Sequence, residues 1–291
     1  MNKYISILFL AILTAISANA QLLWQISGNS TNQKSYLFAT NKLADISFLD
    51  SVPNLFKVWG RCDKVITEMA IHDFEAQKAL AQAALLPHDS TISMLYSADE
   101  YRLIEASFMQ TVKLPFDKLG RMKPAYLTEL YRNELLTKEL HYDDNRSSEN
   151  FFQTVAMQQA IPVYALDDTG EALYMMFDRE PMHWQQKELL RIVQYPEREL
   201  QTEKAVLRYY KNGLLTELVY EVSMPDNQST LSFSDCQVFW RRNLNWCKRL
   251  RPYLEQGNAF ICLNALYLGG EQGLINVLRQ NGYKVKPVNK K

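Results

Sequence analysis

The sequence predicts an α/β protein, of the α+β kind, with a mixed β-sheet built from both ends of the chain and a large helical middle. Apolar runs at 22–26, 35–40 and 64–69 near the start, and at 259–263 and 283–288 near the end, predict strands. The long stretch between them has a helical pattern. Because strands flank these helices on both sides, the helical middle should cover the sheet as a cap.

The elements near the start follow from turn and capping residues. The segment GNSTN at 28–32 is a strong turn signal between two apolar runs, which therefore predict a β-hairpin. A short helix at 51–59 then leads into the strand at 64–69. The segment SADE, from Ser97 to Glu100, matches a capping box, which predicts the start of a helix.

The later elements follow from proline and glycine positions. Pro124 should occupy the first position of a helix, where its missing N–H costs nothing. Pro181 and Pro196 should interrupt the helical pattern of 170–222. The further expected elements are helices at 74–86, 124–139, 148–160, 235–255 and 273–280, and a short strand at 162–166.

Composition limits the class of protein. The chain has 291 residues, of which 47% are hydrophobic and 22% charged, as is usual for a packed globular protein. Lys and Arg total 32 and Asp and Glu total 32, so the basic excess typical of nucleic-acid binders is missing and no nucleic-acid partner is expected. The length favours a single domain over 21–291, with a helical cap over roughly 73–255.

An export signal is predicted at the start of the chain. Lys3 precedes an apolar segment at 5–16, and Ala18-Asn19-Ala20 matches a small-residue cleavage site. Cleavage after Ala20 predicts a periplasmic or secreted protein, and the alternative is an uncleaved anchor, for which the segment is short. No later segment is apolar for long enough to predict a transmembrane helix.

The spacing of the four cysteines does not indicate a disulfide framework. Export permits disulfides, and Cys62, Cys236, Cys247 and Cys262 allow three pairings. Cys236 and Cys247 would lie about 16 Å apart along one predicted helix, too far to bond each other. Cys262 lies in an apolar strand and is expected to be buried. The disulfide state is left open.

Two groups of motifs lie near the two ends of the mature chain. The first is LLWQI at 22–26, SYLFATNK at 35–42 and VITE at 65–68, and the second is FICLNALYL at 260–268 and GYKV at 282–285. In order and spacing these motifs resemble the TraB/GumN family, whose wider group includes PrgY and the Tiki proteases. The resemblance covers nearly all of the mature chain.

The resemblance implies metal-dependent peptidase chemistry. In the TraB/GumN family, this chemistry is attributed to two G-x-x-H motifs and to a Glu at the strand ends. A catalytic metal site needs about three imidazole or carboxylate ligands and an open position for water. Here Ala39 and Lys42 replace the Gly and His of the first motif, and Asn264 and Tyr267 replace those of the second. Only Glu68 remains. Lys and Tyr side chains are poor metal ligands near neutral pH.

The candidate site therefore consists of Glu68, as the candidate catalytic residue, and a set of degenerate cleft positions. These positions are Ala39, Asn41, Lys42, Asn264, Tyr267, Glu271 and Arg242. No metal ligand set and no cofactor is predicted, and a divalent metal is the alternative. Arg242 should point to the sheet ends, because the family keeps an Arg-Asn pair there, and Asp167 should lie near the cleft. His72 is considered as a stray metal ligand.

Three functions are open at this point. The leading one is an exported TraB/GumN-like protein without the family's metal-dependent peptidase activity. It would act as a binding or envelope-associated module for an unknown peptide, protein or small molecule. The second is a metal-dependent or altered-mechanism peptidase or hydrolase that uses Glu68. The third is a structural envelope protein without a function in the cleft. Whether the chain is an enzyme is left open, and the replaced His ligands favour a non-catalytic role.

One expectation concerns the charge of Glu68. A carboxylate buried at a sheet end needs a compensating charge or hydrogen-bond donors. Because Lys42 takes the position of one His ligand, its ammonium is predicted to lie within about 4 Å of the Glu68 carboxylate as a substitute for the metal. The Tyr267 hydroxyl should join this pair by a hydrogen bond. The alternative is that Lys42 points to solvent.

Overall fold

The computed structural model describes residues 21–29, 31–69, 74–223 and 233–288. The strands are β1 Leu23–Gly28, β2 Thr31–Thr40, β3 Lys64–Thr67, β4 Val163–Ala165, β5 Ala259–Asn264 and β6 Tyr283–Pro287. The α-helices are α1 Leu55–Trp59, α2 Phe74–Ala83, α3 Ala98–Thr111, α4 Pro124–Leu140, α5 Ser148–Gln158, α6 Thr169–Leu173, α7 Met182–Gln194, α8 Pro196–Lys211, α9 Leu215–Ser223, α10 Phe233–Gln256 and α11 Leu274–Gln280. The predicted export signal and His72 lie outside the described residues.

The strands form one mixed sheet in the order β4-β3-β5-β2-β1-β6. Strand β5 runs parallel to both of its neighbours, β2 and β3, and β4 is parallel to β3. Strand β1 is antiparallel to β2 and to β6. The predicted hairpin and the predicted α/β class are therefore confirmed. The sheet takes β1, β2, β3, β5 and β6 from the two ends of the chain and β4 from its helical middle.

The position of each strand in the sheet follows from its residue pattern. Residues 259–263 of β5 are all buried, as a strand that is covered on both faces requires. In the edge strand β6, Tyr283 and Val285 are buried, whereas Lys284 and Lys286 are exposed. Alternating exposed lysines protect a free sheet edge from pairing with another chain.

Two hydrophobic clusters divide the interior. The sheet cluster covers the strands and the helices against them, and includes Phe38, Phe152, Phe260 and Trp246. The cap cluster is formed by the helical middle and extends from Ile92 to Leu200. The helical middle therefore has apolar packing of its own.

Local predictions agree with the structure except at element ends. Ser97 caps α3 in the predicted capping box with Glu100, and α4 and α8 have proline in their first turns. Helix α2 ends at Ala83 rather than at residue 86, because Leu85 forms an isolated β-bridge with a loop residue. Strand β3 ends at Thr67, which leaves Glu68 in the following loop.

Two further expectations concern membranes and cysteines. Among the described residues, no helix is both long enough and apolar enough to cross a bilayer. Cys62, Cys247 and Cys262 are free thiols. Cys262 is 3% exposed, as its apolar strand predicts. The side chain of Cys236 lies outside the described part of the chain.

Candidate functional site at the carboxyl edge of the sheet

The carboxyl ends of three parallel strands meet at one edge of the sheet. Strand β2 ends at Thr40, which lies opposite Asn264 at the end of β5. Strand β3 is the other neighbour of β5, and Glu68 follows it directly. These strand ends therefore lie together, at the edge where open α/β sheets place their ligands.

Glu68 connects three neighbouring strand ends. Its Oε1 accepts the backbone N–H of Asn264 at 2.8 Å, and its Oε2 lies 3.2 Å from Nη2 of Arg242. Its backbone carbonyl accepts the N–H of Asp167 at 3.0 Å, just after β4. Burial raises the pKa of the Glu68 carboxyl, and the Arg242 charge opposes this shift. The side chain is 22% exposed, so it still reaches solvent.

Arg242 is the central cation of the site. Its Nε and Nη2 donate to Oδ2 of Asp167 at 2.8 and 2.5 Å. Its guanidinium carbon lies 4.3 Å from the ring centroid of Trp246 and 4.6 Å from that of Tyr267. Carboxylates therefore hold the guanidinium in its plane, and the two rings pack against it. The expectation that Arg242 points to the sheet ends is confirmed.

Asp167 is the most deeply buried carboxylate of the site. Its side chain is 3% exposed, and Trp246 donates its indole N–H to Oδ1 at 2.5 Å. Arg249 donates to the carbonyl of Leu166 at 2.5 Å and to Glu171 at 2.7 Å, which closes the outer side of the cluster. The expectation that Asp167 lies near the cleft is confirmed.

The predicted ion pair between Lys42 and Glu68 is wrong. Lys42 Nζ lies 3.2 Å from Oε2 of Glu129 and 3.4 Å from Oδ1 of Asn133, both on α4. Glu68 instead has Arg242 as its cation. The prediction failed because helix α4 of the cap places the Glu129 carboxylate within reach of the long Lys42 side chain.

The predicted role of the Tyr267 hydroxyl is also wrong. Within the described residues the hydroxyl forms no hydrogen bond with Glu68, and the ring serves instead as a surface against Arg242. Phe239 and Trp246 pack edge-on against the Tyr267 ring, each with a centroid distance of 5.0 Å. Burial raises the pKa of the Tyr267 hydroxyl above its usual value, so the phenol stays protonated.

The remaining predicted positions shape the strand ends. The side chain of Asn41 accepts the N–H of Leu43 at 2.9 Å, and that of Asn264 accepts the N–H of Leu266 at 3.0 Å. Both asparagines thus form local turns that redirect the chain after a strand. Ala39 is fully buried, and its carbonyl accepts the Tyr210 hydroxyl at 2.9 Å. Glu271 is exposed and is not part of the Arg242 cluster.

Sequence reasoning missed Trp246 and Arg249 as site residues. Together with Arg242 they have the spacing i, i+4 and i+7, which places all three on one face of α10. A helical projection from Arg242 would have found both. Asp167, which was expected near the cleft, is the carboxylate that this face contacts.

The fold and this polar strand-end cluster define an α/β protein with a candidate ligand site at the carboxyl edge of its sheet. The sequence matches the model of the TraB/PrgY/gumN family over residues 22–287. Because this match covers nearly the whole chain, the protein belongs to the TraB/PrgY/gumN family. Searches of curated proteins and of solved structures found no match.

The residues at the strand ends do not fit the divalent metal that the family resemblance implies. Lys42 is ion-paired with Glu129 and the Tyr267 phenol stays protonated, so neither side chain that stands in place of a His is available as a metal ligand. Within the described residues, no group of three or more His, Cys, Asp or Glu side chains could hold a metal ion. A catalytic metal needs about three such ligands.

Proposed function

We propose that this TraB-family chain is an exported binding protein that recognises a cationic group at the strand-end site and lacks the family's metal-dependent peptidase step. The observation that carries the proposal is the state of Glu68, whose carboxylate is held by Arg242 and by a backbone N–H yet remains partly exposed. A carboxylate has about four acceptor positions, and these two donors leave room for another. The site is therefore suited to a hydrogen-bond donor.

The charges around Glu68 favour a positively charged donor. Glu68 and Asp167 contribute two negative charges and Arg242 one positive charge, which leaves one negative charge in excess. Arg249 and Glu171 balance each other at the outer side of the cluster. An ammonium or guanidinium group on a peptide, protein or small molecule would compensate this excess in a partly desolvated place.

The export part of the proposal rests on the leader pattern of residues 1–20. A positive n-region, a short apolar segment and Ala18-Asn19-Ala20 together support cleavage before Gln21. Intact mass of the protein recovered outside the cytoplasm tests this part. A mass that includes residues 1–20 would contradict it.

Binding of butylammonium to the isotope-labelled mature protein, followed by NMR, tests the ligand class. We expect millimolar butylammonium to shift the amide resonance of Asn264, because that N–H donates to the carboxylate that the ammonium contacts. Glu68→Gln should abolish the shift, whereas Glu271→Gln, which alters an exposed carboxylate outside the cluster, should preserve it. An equal response to butyrate, or to butylammonium in the Glu68→Gln protein, would contradict the proposal.

A second candidate function is a hydrolase that uses Glu68 as an acid or base. The raised pKa of the Glu68 carboxyl favours it, since burial tunes catalytic carboxyls in the same direction. Metal analysis separates the two functions. We expect dialysed protein to contain no stoichiometric zinc, manganese or cobalt, because Lys42 and Tyr267 occupy the ligand positions. About one metal ion per chain, lost in Glu68→Gln, would favour the hydrolase.

A further inference from the structure

Helix α8 passes from one hydrophobic cluster to the other. Leu200 near its start belongs to the cap cluster, whereas Val206 and Tyr210 belong to the sheet cluster. Between them lies Glu203, whose side chain is 18% exposed. On this helix a polar side chain thus lies between the apolar residues of the two clusters, while Leu43 in the loop after β2 packs against the cap cluster.

A network of ion pairs fills this polar boundary. Arg132 on α4 donates to Glu199 on α8 at 2.5 Å, and its guanidinium lies 3.5 Å from Glu188 on α7. Arg191 on α7 lies 2.6 Å from both of these glutamates. Three cap helices are thus joined by charges whose side chains are 20% exposed or less.

Lys42 is the residue through which the sheet joins this network. It follows β2 at the carboxyl edge, and its ammonium lies 3.2 Å from Glu129, which also pairs with Arg132. On the cap side, Glu129, Glu188, Glu199 and Glu203 contribute four negative charges against two from Arg132 and Arg191. These six side chains carry an excess of two negative charges where the cap faces the strand end, and the Lys42 ammonium reduces that excess to one.

From this geometry we infer that Lys42 is an electrostatic latch that holds α4 of the helical cap against the carboxyl edge of the sheet. The cap helices cohere through their own cluster and ion pairs, so losing the latch releases α4 from the strand end while the sheet stays folded. Opening of this kind uncovers the loop that follows β2, including Asn41 and Leu43. This inference does not depend on the ligand class proposed above.

Amide hydrogen exchange of the full mature chain tests the latch. In Lys42→Met we expect exchange in α4 around Glu129 and Asn133 to accelerate about tenfold, with exchange in β5 unchanged, because local opening exposes only the released element. Lys34→Met is the matched control, since Lys34 is an exposed lysine nearer the start of β2, whereas Lys42 follows the end of that strand. It should leave α4 exchange as in the wild type.

A double variant separates the latch from a simple loss of packing. If Lys42 acts through its ion pair with Glu129, Lys42→Met should change α4 exchange much less in a Glu129→Gln background, where the pair is already lost, than in the wild type. In the wild type, about 1 M salt should also accelerate exchange in α4 relative to β5, because it shortens the Debye length to about 3 Å. The latch is refuted if Lys42→Met leaves α4 exchange unchanged, accelerates β5 exchange equally, or has the same effect in the Glu129→Gln background as in the wild type.

Discussion

Replacing Arg242 with Met should lower the free energy of unfolding by about 3–5 kcal/mol, as expected when one partner of a buried ion pair is removed. Asp167, with a side chain 3% exposed, would lose both guanidinium bonds and keep the Trp246 indole N–H as its close donor. Glu68 would lose its cation, and the rings of Trp246 and Tyr267 would each lose the guanidinium that packs against them. Urea denaturation measures the change.

The neighbouring residue supplies the control for this prediction. Arg241 is exposed, so Arg241→Met makes the same chemical change at a solvent-exposed position. It should change the free energy of unfolding by less than about 0.5 kcal/mol. Arg242→Met combined with Asp167→Asn should cost clearly less than the sum of the two single variants, because the charges compensate each other. Equal losses in the Arg241 and Arg242 variants would contradict the central role of Arg242.

Gly269→Ala should destabilise the protein by about 3 kcal/mol, the upper end of the usual cost of overpacking. A Cβ on Gly269 would lie 2.2 Å from the carbonyl oxygen of Leu215 and 2.4 Å from its carbonyl carbon. These are backbone atoms at the start of α9, so they cannot move aside as a flexible side chain would. Thermal and urea denaturation both report the loss.

Gly60→Ala is the matched control for the glycine prediction. At Gly60 the nearest atom to an added Cβ is the carbonyl oxygen of Phe56, at an ordinary contact distance of 3.5 Å. Its φ of −63° is also favourable for alanine. We therefore expect a change within about 0.5 kcal/mol. An equally small loss of stability in Gly269→Ala would contradict the close approach of Gly269 to the backbone of Leu215 at the start of α9.

The strands were predictable because each carries its own signal. The apolar run of β5 and the turn between β1 and β2 specify these elements locally. The order of the motifs that resemble the family indicated that they belong to one sheet. The partner of Lys42 could not be predicted in this way. It depends on where α4 lies after the chain has folded, and no short-range pattern connects Lys42 with Glu129, which is 87 residues away.

The position of the site was predictable from the sequence, but the pairing of its charged side chains was not. Two cations, Lys42 and Arg242, approach the same sheet edge, and the sequence does not say which one reaches Glu68. The structure favours Arg242 because its planar group can bond Asp167 and Glu68 together while the rings of Trp246 and Tyr267 pack against it. Lysine, with a point charge and no flat surface, could not make the same set of contacts.

The strand order also dictates when the sheet can be completed. Strand β5 lies between β3 and β2, yet it is contributed by Ala259–Asn264, near the end of the chain. Until ribosomal synthesis passes these residues, β4-β3 and β2-β1 are two fragments without the strand that joins them. Their pairing is long-range and therefore slow. The sheet can therefore close only after residues 259–264 have been synthesised, and until then the position between β3 and β2 is vacant.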